Sequence, residues 1–253
     1  DHTSGGDEWL AEPFDDSTGT IMLLHLDEET GGVTPDSSSQ GNDGVLGGGA
    51  TIEDAGKFRG GWDSNGILSY VDISAIAADF NTVATAQGSL SFWVKGSLAD
   101  YAAGGGLVRF QDGALGAPFV SNFYIEVTGG FIQFTWTDGI NPSVVIQIAE
   151  PTDTEWHHVY AEMDPAGAGT FRAALDGVFT AGAAIAPWAN PPVGAIFGSR
   201  DLAAVFSLVE LDELRVSTLI RTFYTPDSLW TRGGDVFAWS GGDRTARFSF
   251  RDN

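Results

Sequence analysis

Cysteine is absent from the 253-residue sequence. That removes a disulfide framework, a thiolate zinc site and a cysteine nucleophile together. Lysine is nearly absent as well: Lys57 and Lys95 stand alone, and the ten arginines are scattered. Binding a phosphate backbone needs clustered Lys and Arg, so nucleic acid is excluded as a partner. No Gly-rich stretch is followed by Lys-Ser or Lys-Thr, so the glycines signal turns and not phosphate cradles. No apolar run approaches the roughly 18 to 20 residues of a spanning helix, and no membrane insertion is expected. The chain opens at Asp1 and not at Met, which suggests a trimmed or mature product whose targeting segment, if any, is gone.

What the chain has in excess is acid. Thirty-four acidic residues face 12 basic ones, a formal net charge of −22. Such a surface stays soluble, repels anionic surfaces and needs cations or salt to relieve its own repulsion. An extracellular or surface-exposed setting, on a cell or a virion, is the expectation. The hydrophobic fraction of 43% supports a real core.

Short aromatic or β-branched segments follow one another, separated by Gly, Pro, Asn and Asp. The strand candidates are 20–26, 66–73, 89–95, 106–110, 122–127, 130–137, 143–149, 155–162, 170–175, 194–198 and 207–216. In 130–137, Ile132, Phe134 and Trp136 share one face while Gln133, Thr135 and Thr137 share the other, as a half-buried antiparallel strand requires. Hairpins are expected around Thr128-Gly129-Gly130 and around Asp164-Pro165-Ala166-Gly167. Helical periodicity is confined to 76–81 and 225–231. Many antiparallel strands without crossover helices imply an all-β fold, an antiparallel two-sheet β-sandwich or jelly roll. An acidic arm at 1–18, a main domain over 19–222 and an extension at 223–253 complete the division.

The ordered series LLHLDEETGG, DSSSQGNDGVL, GGWDSNGILSYVDI, SLSFWVKG, EWHHVYAEMD, FRAALDGV, AIFGS and ELDELRVSTLIRT resembles the laminin G-like, concanavalin A-like lectin or glucanase superfamily. The resemblance covers about residues 20–222. It implies a concanavalin A-like jelly roll of two curved sheets, frequently with a bound calcium, in extracellular adhesion, sugar-binding and surface-coating proteins. In that family the segment after the first strand usually reads Asp-x-Ser-Gly-Asn-Gly-Asn-x-Gly. Here Asp36 to Gly44 keeps the ends and replaces the middle.

Calcium takes six to eight oxygens from carboxylates, amides and backbone carbonyls, and the loop Asp36 to Gly44 offers all three. The resemblance also implies that ELDELR lies beside the first strand. Asp27, Asn42, Asp43 and Asp212 would then converge on a structural calcium, with Glu213 and Asp36 in reserve. Against this stands a plainer reading: Asp36 and Asp43 cap turns, and Glu210 and Asp212 are edge charges that discourage aggregation.

Glucanases of the superfamily carry their carboxylates in a Glu-x-Asp-x-x-Glu pattern. Here Glu210-Leu211-Asp212-Glu213-Leu214 is followed by Arg215, and a guanidinium can be neither general acid nor nucleophile. A non-catalytic protein is expected. His157 and His158 are neighbours on a strand and point to opposite faces, so both read as structural; His25, between leucines, reads as packing. Trp93 and Trp156 lie in sheet-like segments and read as core. For sugar recognition the candidates are Trp188, in the Pro-rich loop IAPWANPP, with Tyr101 and Asn190; Trp188 could equally plug the end of a sandwich. The partner is therefore a glycan or surface polymer. In the alternative, aromatic residues after Arg221 add strands to neighbouring protein subunits, as in a coat, filament or capsid-decorating protein.

Overall fold

A computed structural model describes residues 18–27, 32–53, 56–58, 60–63, 69–200, 208–221, 230–232 and 235–237. The expected 1–18 arm lies outside the described residues apart from Thr18. Of the 223–253 extension only Trp230–Arg232 and Asp235–Phe237 are described, as an antiparallel pair. The helix expected at 225–231 lies outside the described residues except for Trp230 and Thr231, which belong to that pair.

Two antiparallel sheets face each other, their strands numbered in chain order. The front sheet runs β14 (Val178–Phe179), β13 (Thr170–Leu175), β12 (His157–Asp164), β7 (Gly88–Lys95), β17 (Glu210–Ser217), β5 (Gly61–Asp63) and β4 (Thr51–Glu53). On it, β1 (Thr20–Leu24) pairs with β17 and β15 (Ala183–Ala184) with β13. The back sheet runs β11 (Val144–Ala149), β10 (Phe131–Thr137), β9 (Asn122–Thr128), β8 (Gly105–Gln111), β16 (Gly194–Phe197), β6 (Tyr70–Asp72), β3 (Gly44–Gly47) and β2 (Val33–Thr34). This is the sandwich expected from the sequence.

The expected alternation in β10 is met, with Ile132, Phe134 and Trp136 all buried in the core. In β7 the same rule sends Leu90, Phe92 and Val94 into the core and Ser89, Ser91 and Trp93 to the outer face. Trp93 is buried all the same, because Phe58 meets it edge-on at 6.1 Å between centroids and Lys57 lies 4.7 Å above its ring. The hairpin at Gly129-Gly130 forms with both residues at positive φ, the geometry that a two-residue turn between right-twisted strands demands.

Among the described residues two α-helices pack on the sandwich. The helix α1 (Ala77–Thr85) buries Phe80, Val83 and Ala84. The helix α2 (Leu98–Ala103) is too short for periodicity to reveal; a capping box in which Ser97 and Asp100 satisfy each other's backbone N–H groups starts it. A chain of rings, Phe110, Phe80, Trp188, Trp136, Phe171 and Phe123, crosses the core with neighbouring centroids 3.8 to 6.3 Å apart. Such rings combine large apolar burial with edge and offset contacts.

The first and last strands of the domain lie side by side. Thr20 pairs with Ser217 and Leu24 with Leu214. Arg221 ties the junction by donating to the carbonyl of Thr18 and the hydroxyl of Thr20.

Candidate functional site

Where β1 ends against β17, the chain stores charge and strain. The pairing of β17 with β7 breaks register between Asp212 and Arg215, and Glu213 sits at φ +54°. On the facing segment Leu26 sits at φ +56°. Left-handed conformations at residues with bulky side chains are costly and persist where neighbours enforce them. Asp212 and Glu213 are both fully buried. Asp212 accepts N–H bonds from Lys57 (2.7 Å), Phe58 (3.3 Å) and Glu213 (2.8 Å). Glu213 meets His25 Nδ1 at 2.8 Å. Burial, and then the adjacent Glu213, push the Asp212 carboxyl up to about 8. The bond to Glu213 raises His25 against the opposing effect of burial.

The four residues expected to share calcium are not brought together. The Asp36 to Gly44 loop lies on the edge of β1 away from β17: Asp36 accepts the Leu23 N–H and Ser37 donates to the Leu23 carbonyl. Strand β1 therefore stands between this loop and Asp212. Each donor is also engaged. Asp36 takes the N–H groups of Leu23, Ser38 and Asn42 and the Ser38 hydroxyl. Asp43 accepts from the Asp36 N–H, and Asn42 donates to the Ile21 carbonyl and to Asp79. Asp27 accepts from the Gly60 N–H. Among the described residues no three His, Asp or Glu side chains are grouped to hold a metal. The donor set, divided by β1, does not fit one calcium.

A second region, at one end of the sandwich, is built from three loops. Residues 112–121 join β8 to β9, residues 138–143 join β10 to β11, and residues 189–193 lead into β16. Asp112 accepts the N–H groups of Val120 (2.7 Å) and Ser121 (3.0 Å) and the Asn190 amide (2.9 Å). Asp138 accepts the N–H groups of Ile140 and Asn141, both at 2.8 Å, and the Asn141 amide at 2.7 Å. Ser121 and the Ala189 N–H both bind the Asp138 carbonyl, and Val193 N–H binds the Gln111 carbonyl. The loops are thus fastened to one another. Burial pushes both carboxyls up, and these donors outweigh it and hold both below the usual carboxylate range.

Above this frame stand apolar side chains that are exposed among the described residues. Ile140 is 78% exposed, Val120 55%, Val193 49% and Phe119 40%. Arg109 lies 3.9 Å over the Phe119 ring. On the flank, Trp136, Asp138, Asn141 and Val144 line a shallow depression of about 240 Å³. Rigid loops on a scaffold that present apolar faces among fixed polar groups are the usual construction of a recognition surface.

A family model described as concanavalin A-like lectin/glucanases superfamily matches residues 62–222, well over half of the sequence. The chain belongs to this superfamily. Solved structures agree on the fold. Similar to it are botulinum neurotoxin type C, which enters cells dependent upon interaction with two ganglioside molecules (TM-score 0.60, 12% identity, 79% of this chain and 48% of the other), and the receptor binding domain of botulinum neurotoxin C/D mosaic serotype (TM-score 0.59, 12% identity, 81% and 49%). The binding domain of botulinum neurotoxin DC, solved in complex with rat synaptotagmin II, is a third (TM-score 0.54, 13% identity, 79% and 48%). The chain spans about half the length of these structures. No curated protein matches the sequence.

Within ELDELR, Asp212 and Glu213 are enclosed, whereas Glu210 is half-buried and accepts from Lys95. The ligand residues expected from sequence separate. Trp188 is buried, its ring packed 5.6 Å from Trp136 and its backbone N–H bound to the Ala84 carbonyl, so it plugs the sandwich beneath the loops. Tyr101, on α2, is buried as well. Neither ring offers a face to a sugar. Asn190 alone of the three is exposed, held to Asp112 among the three loops. His25 is engaged with Glu213 and not merely packed; His157 bridges Asp153 and Asp176 at 2.8 and 2.7 Å. Sequence reasoning missed Asp112, Asp138, Phe119, Val120 and Ile140. The signal was there: QDGALGAPFV, TDGINPS and ANPPV are three turn-rich loops that each carry an apolar residue.

Proposed function

We propose that this is a non-catalytic binding module, acting outside the cell, whose recognition surface is the three-loop end of the sandwich and whose ligand is a glycan or a surface polymer. The observation that carries the reading is the exposed group of Phe119, Val120, Ile140 and Val193 set among the amide-fixed side chains of Asp112, Asp138 and Asn190. Apolar side chains cover the C–H faces of a pyranose, and the oxygens and amides beside them take its hydroxyls. The neurotoxin domains of like fold are themselves binding domains, which supports the class of function. Among the described residues no helix is long and apolar enough to cross a membrane.

Immobilised oligosaccharides, ganglioside headgroups included, are the test. Binding by the full chain is expected to fall at least about tenfold in both Phe119→Ala and Asn190→Ala, a loss of about 1.4 kcal/mol. Binding that is unchanged in both, or reducing sugar released from β-glucans, would overturn it. The alternative of an assembly subunit gripping neighbours through 1–18 and 223–253 rests on segments almost wholly outside the described residues.

A further inference from the structure

The end of the sandwich away from the three loops is closed by residues 150–156, which join β11 to β12. Strand β10 runs from Phe131, paired there with Ala149, to Thr137 beside the three loops, so the two ends are distinct. Thr152, Asp153, Thr154 and Glu155 are exposed. Among the described residues the backbone of 151–156 makes no hydrogen bond to another element. Side chains fasten it instead: Lys95 lies 5.4 Å above the Trp156 ring, and Asp153 meets His157.

His157 is gripped from both sides. Its Nδ1 lies 2.7 Å from Asp176 and its Nε2 2.8 Å from Asp153. The two acids belong to different elements. Asp176, in the turn after β13 and at φ +50°, donates its N–H to the His158 carbonyl and accepts the His158 N–H, so it is fixed to the sheet. Asp153 accepts the Glu155 N–H from within its own loop. A neutral imidazole has one N–H and one lone pair, so between two carboxylates it satisfies one and turns a lone pair on the other. Only the imidazolium donates to both, with charge-assisted bonds. Burial opposes that charge, and the bonds to Asp176 and Asp153 outweigh it and raise the imidazole above its ordinary value.

The surrounding titratable groups are nearly all acidic. Glu150 and Glu155 belong to the same loop, Asp100 and Tyr101 to α2, and Lys95 of β7 is already paired with Glu210 of β17 at 2.9 Å. Burial, and then Asp153, Asp176, Glu150 and Asp100, push the Tyr101 hydroxyl above its ordinary value, so it remains an O–H wherever His157 titrates. That hydroxyl and one carboxylate oxygen of Glu150 are buried with no hydrogen-bond partner among the described residues. Such groups favour any rearrangement that lets water reach them.

We propose that His157 is the clasp of a pH-released loop: as the imidazolium it holds 151–156 to the Asp176-Gly177 turn, and on losing a proton it lets the loop go. The sign follows from which state binds the proton more tightly. The closed loop does, so the clasp is complete below 6.5 and is lost as pH climbs through the raised value of the closed state. Deprotonation leaves Nδ1 or Nε2 with a lone pair against a carboxylate, and Asp153 is the partner that yields, because Asp176 is tied to the His158 backbone. Release wets Tyr101 and Glu150, which adds to the tendency to open. It also moves Thr154, one wall of a depression of about 350 Å³ whose other side is Lys95, Ser97, Asp100 and Glu210. The depression therefore keeps its closed shape in acid and loses that wall in base.

Hydrogen exchange and imidazole nitrogen NMR of the full chain, followed from about pH 5 to about pH 9, are the test. Below the His157 titration both of its ring nitrogens are expected to carry protons. As pH rises through it, opening of 151–156, corrected for the intrinsic base-catalysed rate, is expected to grow at least about fivefold, the lower end of ordinary coupling between two sites. The loop at 138–143 is expected to stay flat over the same range. His157→Gln keeps one hydrogen bond and cannot be charged, so its loop is expected to exchange at the fast level at every pH. Asp153→Asn removes one carboxylate charge and is expected to move the titration and the opening to lower pH together. His25→Gln is expected to change neither. A single neutral tautomer of His157 at pH 5, exchange at 151–156 that ignores the His157 titration, or a wild-type profile in His157→Gln would each overturn the proposal. Circular dichroism separates a released loop from a lost fold, and the titration of the unaltered chain decides the matter whether or not the variants fold.

Discussion

Asp138 and Asp212 are nearly the same on paper. Each is buried, and each carboxylate accepts three N–H bonds of ordinary length. Yet Asp138 is held below the usual carboxylate range while Asp212 is pushed up to about 8. The donors are matched, so they do not decide the difference. Asp138 lies at the rim of the sandwich, where its charge is met by its own turn. Asp212 lies inside a sheet with Glu213 next to it, and desolvation joined to a like charge outweighs the same number of hydrogen bonds. An acid's hydrogen-bond count is a poor guide to its charge unless the surroundings are counted too.

Removing the Asp212 side chain is the strongest test of that contrast. Asp212→Ala strands three enclosed N–H groups and is expected to cost about 3 kcal/mol in urea unfolding at neutral pH. Asp212→Asn keeps an acceptor toward Lys57 and Phe58 and is expected to cost only about 1 kcal/mol, because the native carboxyl is largely protonated there. If Asn is as costly as Ala, Asp212 is charged in the folded state and the comparison fails.

The pH dependence of stability is the next test. The folded protein holds the Asp212 proton up to about pH 8, whereas the unfolded chain releases it near 3.8. Over that interval the folded state binds more protons, so stability falls as pH rises, with a slope of at most about 1.4 kcal/mol per pH unit for one group. His25, also raised, acts in the same direction: its contribution is complete below 6.5 and is lost as pH climbs through its folded value. Urea midpoints are expected to decline between pH 5 and 8, and Asp212→Asn to flatten the lower part of the decline. A midpoint that rises over this range contradicts the assignment.

At Asp138 the signs reverse and the effects are smaller. Its stabilisation is present above the ordinary carboxylate range and is lost on acidification through its lowered value. Asp138→Asn gives up charge-assisted bonds to Ile140 and Asn141, and a loss of about 1 kcal/mol at neutral pH is expected. That loss should shrink as acidification carries the native carboxyl through its lowered value.

How far the residues could be read in advance varied with how local the signal was. Alternation in 130–137, the Gly129-Gly130 turn and the run of short aromatic segments each depend on neighbours a few positions away, and each led to the observed element. The helix at 98–103 escaped because six residues complete fewer than two turns; only Ser97 and Asp100, three apart, marked its start. The Asp176-Gly177 turn between β13 and β14 was equally legible and was passed over. The four expected calcium donors were not brought together for a different reason. The side chains have the right chemistry, and β1 does lie against β17, but whether a carboxylate has lone pairs left for a metal depends on which amides the fold delivers to it. Trp188 failed likewise: a tryptophan among prolines looks exposed until Phe80 and Trp136 are found packed against it.

By itself the sequence determined the class of fold, its strands and turns, and the acidity of the chain, since hydrophobic period, turn chemistry and net charge are properties of short segments or of the whole composition. Only the tertiary structure decided which acids keep their protons, which rings are covered and which loops meet. Those depend on desolvation and on contacts between residues distant in the chain, and the linear order of side chains does not encode either one directly.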